Sequence, residues 1–247
     1  TEALTLLSGS GAITVGEIGT LTNGALDTLD INATGSAAAA LTIQQIGLYG
    51  NDNLSSTGTA GVTGAANIGN AATASIDLSD TEFNFGGTTA ITAVGDVTSD
   101  ANIKIKTDDD LTITAGNSAT TGFKTTGAAK IFSLADKTLK IVGNIIGVDS
   151  GATSNETIEF QSGTNAGADD GTIDIAGNIG TQIESVSLKA ATAIKLGGTI
   201  TTIAVSNNDV TITGPVVLTA NTDIDVTANS SGTHEGDITF TSTINDD

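Results

Sequence analysis

The 247-residue chain carries a formal net charge of −20, from 28 Asp and Glu against eight Lys, with no Arg and no Cys. That balance speaks against nucleic acid and anionic membrane surfaces as partners, both of which need clustered cations, and it excludes disulfide staples and thiol chemistry. Aromatics make up 3% of the chain and Trp and Met are missing, so the apolar 38%, nearly all Ala, Val, Ile and Leu, predicts a core of aliphatic side chains.

Short apolar–polar–apolar triplets follow from the N-terminus onward. Leu4-Thr5-Leu6, Ile13-Thr14-Val15, Leu29-Asp30-Ile31 and Leu41-Thr42-Ile43 open the series. Ile76-Asp77-Leu78, Phe83-Asn84-Phe85, Ile103-Lys104-Ile105 and Leu111-Thr112-Ile113 continue it. Leu139-Lys140-Ile141, Ile158-Glu159-Phe160, Ile173-Asp174-Ile175 and Val186-Ser187-Leu188 come next, and Ile194-Lys195-Leu196, Val210-Thr211-Ile212, Ile224-Asp225-Val226 and Ile238-Thr239-Phe240 close it. Strict alternation marks a strand with one buried face. Strands this short and this many, rich in Thr and separated by Gly and Asn, predict a repeating all-β body.

The spacing predicts how the strands are arranged. Starts at Ile76, Phe83, Ile91, Ile103 and Leu111, and again at Val186, Ile194, Ile200, Val210 and Val216, lie roughly 6 to 12 residues apart. Such a step is one side of a three-sided coil of roughly 20 to 28 residues. The expected fold is therefore a parallel β-helix (β-solenoid) of about ten short coils with loop insertions, in a single domain over residues 1–247. Tandem β-sandwiches are the alternative, but the alternation fails after about three or four residues, where sandwich strands run to about five or six. An internal duplication supports the solenoid: Ile68-Gly69, Ile76 to Leu78 and Phe83 to Thr88 match Ile179-Gly180, Val186 to Leu188 and Ile194 to Thr199, about 110 residues on. A recurring Gly-Asn/Glu-Ile tag, at residues 16–18, 67–68, 143–145 and 177–179, reads as a corner where Gly or Asn takes the bend. Residues 50–64, 117–129 and 148–170 read as loops bulging from corners, where binding usually resides.

No catalytic signature is present. The single His234 lies in a loop-like Ser/Gly/Thr stretch without spaced partners. An acidic polysaccharide-cleaving site would need two carboxylates at the right separation, with Asp108, Asp109 and Asp110, or Asp169 and Asp170, as the candidates, yet the aromatic platforms that sugars favour are scarce. The reading is therefore of a non-enzyme that requires no cofactor. The same residues, Asp108, Asp109, Asp110, Asp169 and Asp170, are the candidate Ca2+ ligands, because Asp-rich turns supply the six to eight oxygens calcium takes. Ordinary turn chemistry is the competing explanation, and the Gly-rich calcium nonapeptide is absent.

The triplets, the Gly-Asn-Ile-Gly tags and the closing Gly236-Asp237-Ile238-Thr239-Phe240-Thr241-Ser242-Thr243-Ile244 resemble large exported bacterial β-solenoid proteins. These are autotransporter passengers, filamentous-haemagglutinin-like exoproteins and β-solenoid S-layer proteins. The resemblance implies a secreted or cell-surface structural role as a stalk, filament or lattice unit. Its partners would be copies of itself or neighbouring segments of the same protein, without membrane insertion. An adhesin that binds a glycan or other cell-surface ligand through corner loops is the second expectation. A start at Thr1 and a repeat broken off in mid-run point to a segment of a larger protein.

Overall fold

The computed structural model of the chain describes residues 2–19, 24–33, 39–48, 58–80, 82–99, 102–133, 136–148, 156–163, 171–180, 182–203, 208–226 and 236–247. Within them lie 26 strands and no helix, and every strand-to-strand ladder is parallel. The chain is a β-solenoid, and the tandem-sandwich alternative falls because sandwich sheets need antiparallel neighbours.

Three faces, A, B and C, follow one another around each coil. Leu111–Thr114 on A, Gly122–Thr125 on B and Ala129–Ser133 on C make one such turn. Face A is a sheet of ten strands, from Ala3–Ser8 to Ile244–Asp246. Faces B and C belong to a second, 16-stranded sheet that folds around their shared corner. Two coils of two long strands begin the stack, seven coils of three strands follow, and Ile244–Asp246 opens one more. This is close to the expected ten; the difference is that in the first two coils Ile13–Ile18 and Ala39–Ile46 cross both B and C without a break. The break enters between them and the next coil: Ile43 pairs with Leu78 and Ile46 with Phe83, so three residues face five. The two extra residues bend the chain at Ser79-Asp80.

In-register stacking turns each triplet into a rung of an interior ladder. On face A, Ile31, Ile68, Ile91, Ile113, Ile141, Ile175 and Leu196 stack in one column, all within 2% of complete burial. Face B stacks Leu41, Ile76, Val97, Phe123, Ile145, Ile179 and Ile200. Face C stacks Ile46, Phe83, Ile105, Ile131, Phe160, Leu188 and Ile212. Between the inward residues, outward ones stack too. Lys130 meets Glu159 at 3.2 Å and Lys140 meets Asp174 at 3.3 Å, each pair spanning adjacent coils. A one-residue slip would bury these charges and expose the ladder, which is why the register holds.

The structure departs from three expectations in detail. The 110-residue duplication is real as a pattern but does not superpose coils: Ile68 lies on face A, whereas Ile179 lies on face B. The three faces make the same demand, a bend followed by inward aliphatics, so the sequence repeats per face rather than per coil. Residues 117–129 are not one loop, because Gly122–Thr125 is a face B strand, and residues 148–170 contain the face C strand Thr157–Ser162. The Gly-Asn-Ile tag marks a corner at Gly143-Asn144-Ile145 and Gly177-Asn178-Ile179, but Gly16 to Ile18 and Asn67-Ile68 lie inside strands. Gly143 shows the constraint: its φ is +114°, and an added Cβ would sit 2.6 Å from the Ala115 carbonyl oxygen one coil below.

Ile113 fills the middle of the face A column. Ile113→Ala is expected to cost about 2–5 kcal/mol in denaturant melts, while the outward neighbour change Thr112→Ala stays within about 0.5 kcal/mol.

Candidate functional site

The corners carry a disproportionate share of the Asp and Asn residues, and the geometry shows why. Where a ladder turns a corner, the N–H just before the next strand has lost its carbonyl partner. A short side-chain oxygen from the coil below reaches it. Asp96 Oδ1 accepts from Gly122 N–H at 3.0 Å, Asn102 Oδ1 from Ala128 N–H at 3.0 Å, and Asp110 Oδ1 from Thr138 N–H at 2.7 Å. Asn144 Oδ1 accepts from Asn178 N–H at 2.9 Å, Asn178 Oδ1 from Thr199 N–H at 2.8 Å, and Asp209 Oδ1 from Asp237 N–H at 2.8 Å. In all six cases the acceptor immediately precedes the first inward residue of its own strand, and the donor does the same one coil on. This is the helix N-cap device transferred to a stack of strands. Its sequence signal is an Asp or Asn directly before a Val, Ile or Leu, as in Asp96-Val97, Asn102-Ile103 and Asp209-Val210. Reading Asp and Asn as turn formers or metal ligands missed it.

Hydroxyls perform the complementary task for carbonyls at the C-to-A corner. Thr107 Oγ1 donates to the Gly87 carbonyl at 3.0 Å and Ser162 Oγ to the Lys137 carbonyl at 2.6 Å, so these buried positions stay satisfied.

The candidate calcium residues divide accordingly. Asp108 pairs with the buried Lys106 at 3.3 Å. Asp109 pairs with Lys137 at 2.8 Å through one oxygen and accepts from the Thr88 hydroxyl through the other. Asp110 caps Thr138. The three neighbours thus engage three different partners, and among the described residues no group of three His, Asp or Glu side chains is placed to hold a metal ion. Asp169, Asp170 and His234 lie outside the described residues. The Lys137 ammonium, hydrogen-bonded to Asp109, and the Asp110 N–H hold the Asp109 carboxyl below its ordinary value of 3.8. A lowered carboxyl contributes stability above the unfolded value and loses it as pH falls through the folded one, so this contact weakens at pH below 3.8.

One small cleft interrupts face B. It encloses about 260 Å3 and is lined by Ala119, Asn144, Ile146, Asn178, Thr199 and Thr201 among others. The outward column narrows to Gly180 between Ile146 and Thr201, and this missing side chain creates the depression. Two of the corner caps, Asn144 and Asn178, form its polar rim. Among the described residues no helix is long and apolar enough to cross a membrane.

No protein-family model, curated protein or solved structure matches the chain.

The capping geometry makes a sharp distinction between substitutions. Asp110→Asn keeps the acceptor and should leave the melting temperature unchanged with or without a calcium chelator, whereas Asp110→Ala should cost about 1 kcal/mol, as losing an N-cap does. Equal losses for both variants, abolished by chelation, would instead identify a carboxylate that binds calcium.

Proposed function

We propose that the chain is a structural element of a secreted or cell-surface protein, a stiff stalk, filament or lattice unit that works through its shape and through contact with further rungs. The observation that carries this reading is the uninterrupted parallel stack. Ten rungs on face A, spaced about 4.8 Å apart, make a rod roughly 43 Å long. Among the described residues the side walls carry capped corners and outward ion pairs, while the ladder at each end rung has a neighbour on one side. At the first rung Leu4, Leu6, Ile13 and Val15 are only partly buried; at the last, Ile238 and Ile244 are 43% and 49% exposed. A rung of a second copy, or of a neighbouring segment, would extend the same ladders.

Two features grade that contact. All eight Lys lie between residues 104 and 195, so both flanks of the rod are purely acidic and repel one another unless screened. Asp246 also stands in the inward column of face A, directly after Leu218, where its charge opposes a further aliphatic rung. Contact is therefore expected chiefly through Ile238 and Phe240 on face C, and to strengthen with salt.

A second reading, an adhesin that takes a glycan, is favoured by the face B cleft and its amide and hydroxyl rim. Sedimentation and negative-stain electron microscopy across protein and salt concentration separate the two. The structural reading expects end-to-end growth in steps of one rod length, enhanced in Asp246→Leu and reduced in Ile238→Lys. Monomers at every concentration and salt, in wild type and Asp246→Leu alike, contradict it, and glycan capture lost in Asn178→Ala would favour the adhesin.

A further inference from the structure

Among the described residues, inward positions of the solenoid hold mainly aliphatic and Phe side chains, hydroxyls and amides, but at one step two Glu residues follow each other up the stack. Glu156 immediately precedes Thr157–Ser162 on face C, and Glu184 immediately precedes Ser185–Ala190, one coil on. Thr157 pairs with Ser185, and the Glu184 N–H donates to the Glu156 carbonyl at 2.7 Å. Each Glu stands two residues before an inward aliphatic, Ile158 and Val186, which places both on the inward side of the B-to-C corner. Glu156 is completely buried and Glu184 half-buried.

We propose that this step is an acid-tightened clasp between two coils. With a proton on Glu184 its carboxyl can reach across to donate to the Glu156 carboxylate, whose strand lies about 4.8 Å away; without that proton, two like charges stack at the corner. The inference goes beyond the structural role and does not depend on it.

The surroundings support the clasp. Burial, and after it the Glu156 charge, push the Glu184 carboxyl above its ordinary value of 4.5. Among the described residues Glu156 is the charged group acting on Glu184. On the far side the next coil supplies Asn208, whose carbonyl accepts from the Thr202 hydroxyl at 3.1 Å, and neither of these titrates. The folded state therefore binds more protons than the unfolded one between 4.5 and the raised value. Stability from the clasp is complete below 4.5 and is lost as pH rises through that raised value. The Asp109 contact changes below 3.8, outside this window.

The test is a carbon-13 NMR titration of the Glu184 carboxyl in the wild-type chain, with melting curves from pH 4 to 8 for wild type, Glu184→Gln and Glu156→Gln. The clasp predicts a Glu184 midpoint above 4.5 that falls back towards 4.5 in Glu156→Gln. It also predicts a wild-type melting temperature that declines from acid to neutral pH. In Glu184→Gln that decline should largely vanish, with the pH 7 midpoint raised by roughly 2–4 °C. A wild-type Glu184 midpoint at or below 4.5 overturns the proposal even if a variant does not fold, and so do parallel melting profiles for wild type and Glu184→Gln.

Discussion

In-register parallel stacking is the constraint on which the rest of this molecule depends. Each coil lends its hydrogen-bonding edge to the next, and each inward aliphatic lands on another, so burial is achieved by repetition rather than by a large aromatic core. The ladders on three faces, mostly Ile, Leu and Val with Phe83, Phe123 and Phe160 among them, explain how a chain with 3% aromatics and no Cys folds. Stability then resembles a sum over neighbouring coils, and each coil needs its neighbours to bury its faces.

Corners are where stacking is most exposed to failure, because the backbone must turn without leaving polar groups stranded. The chain answers with Asp and Asn before strands, Thr and Ser after them, and Gly where a Cβ would strike the coil below. Part of the acidic excess is thus structural: Asp96, Asp110 and Asp209 each hold an N–H one coil on. The eight Lys are likewise largely local, with Lys124, Lys130 and Lys140 meeting carboxylates on adjacent coils. Cations confined to the middle coils leave acidic flanks, and that distribution sets the terms on which one rod can approach another.

Much of this was legible in the sequence, because period-two alternation survives in strands of only four residues. Ile103-Lys104-Ile105 and Leu111-Thr112-Ile113 lie in strands where they were read, with inward and outward sides as expected. Gly122–Thr125 escaped because its inward residues are Phe123 and Thr125, and a corner Thr carries no hydrophobic signal. Which face each strand occupies was also hidden, since faces A and B ask for the same residues; hence the duplication that joins Ile68 to Ile179. The fate of Asp108, Asp109 and Asp110 could not be read because it is set by Lys106, Lys137 and Thr138, the last two a whole coil further on. Spacing within one turn says nothing about what stacks above it. The Glu156–Glu184 step was invisible for the same reason.

Amide hydrogen exchange on the intact chain tests the stacked, capped architecture most directly. The N–H groups of Gly122, Ala128, Thr138, Asn178, Thr199 and Asp237 sit at corners, where an ordinary loop would exchange freely. If side-chain oxygens of the preceding coil hold them, they should be protected to nearly the same degree as the strand amides beside them, and Asn178→Ala should release Thr199 selectively. Exchange of all six at loop rates would contradict both the register and the capping on which this description rests.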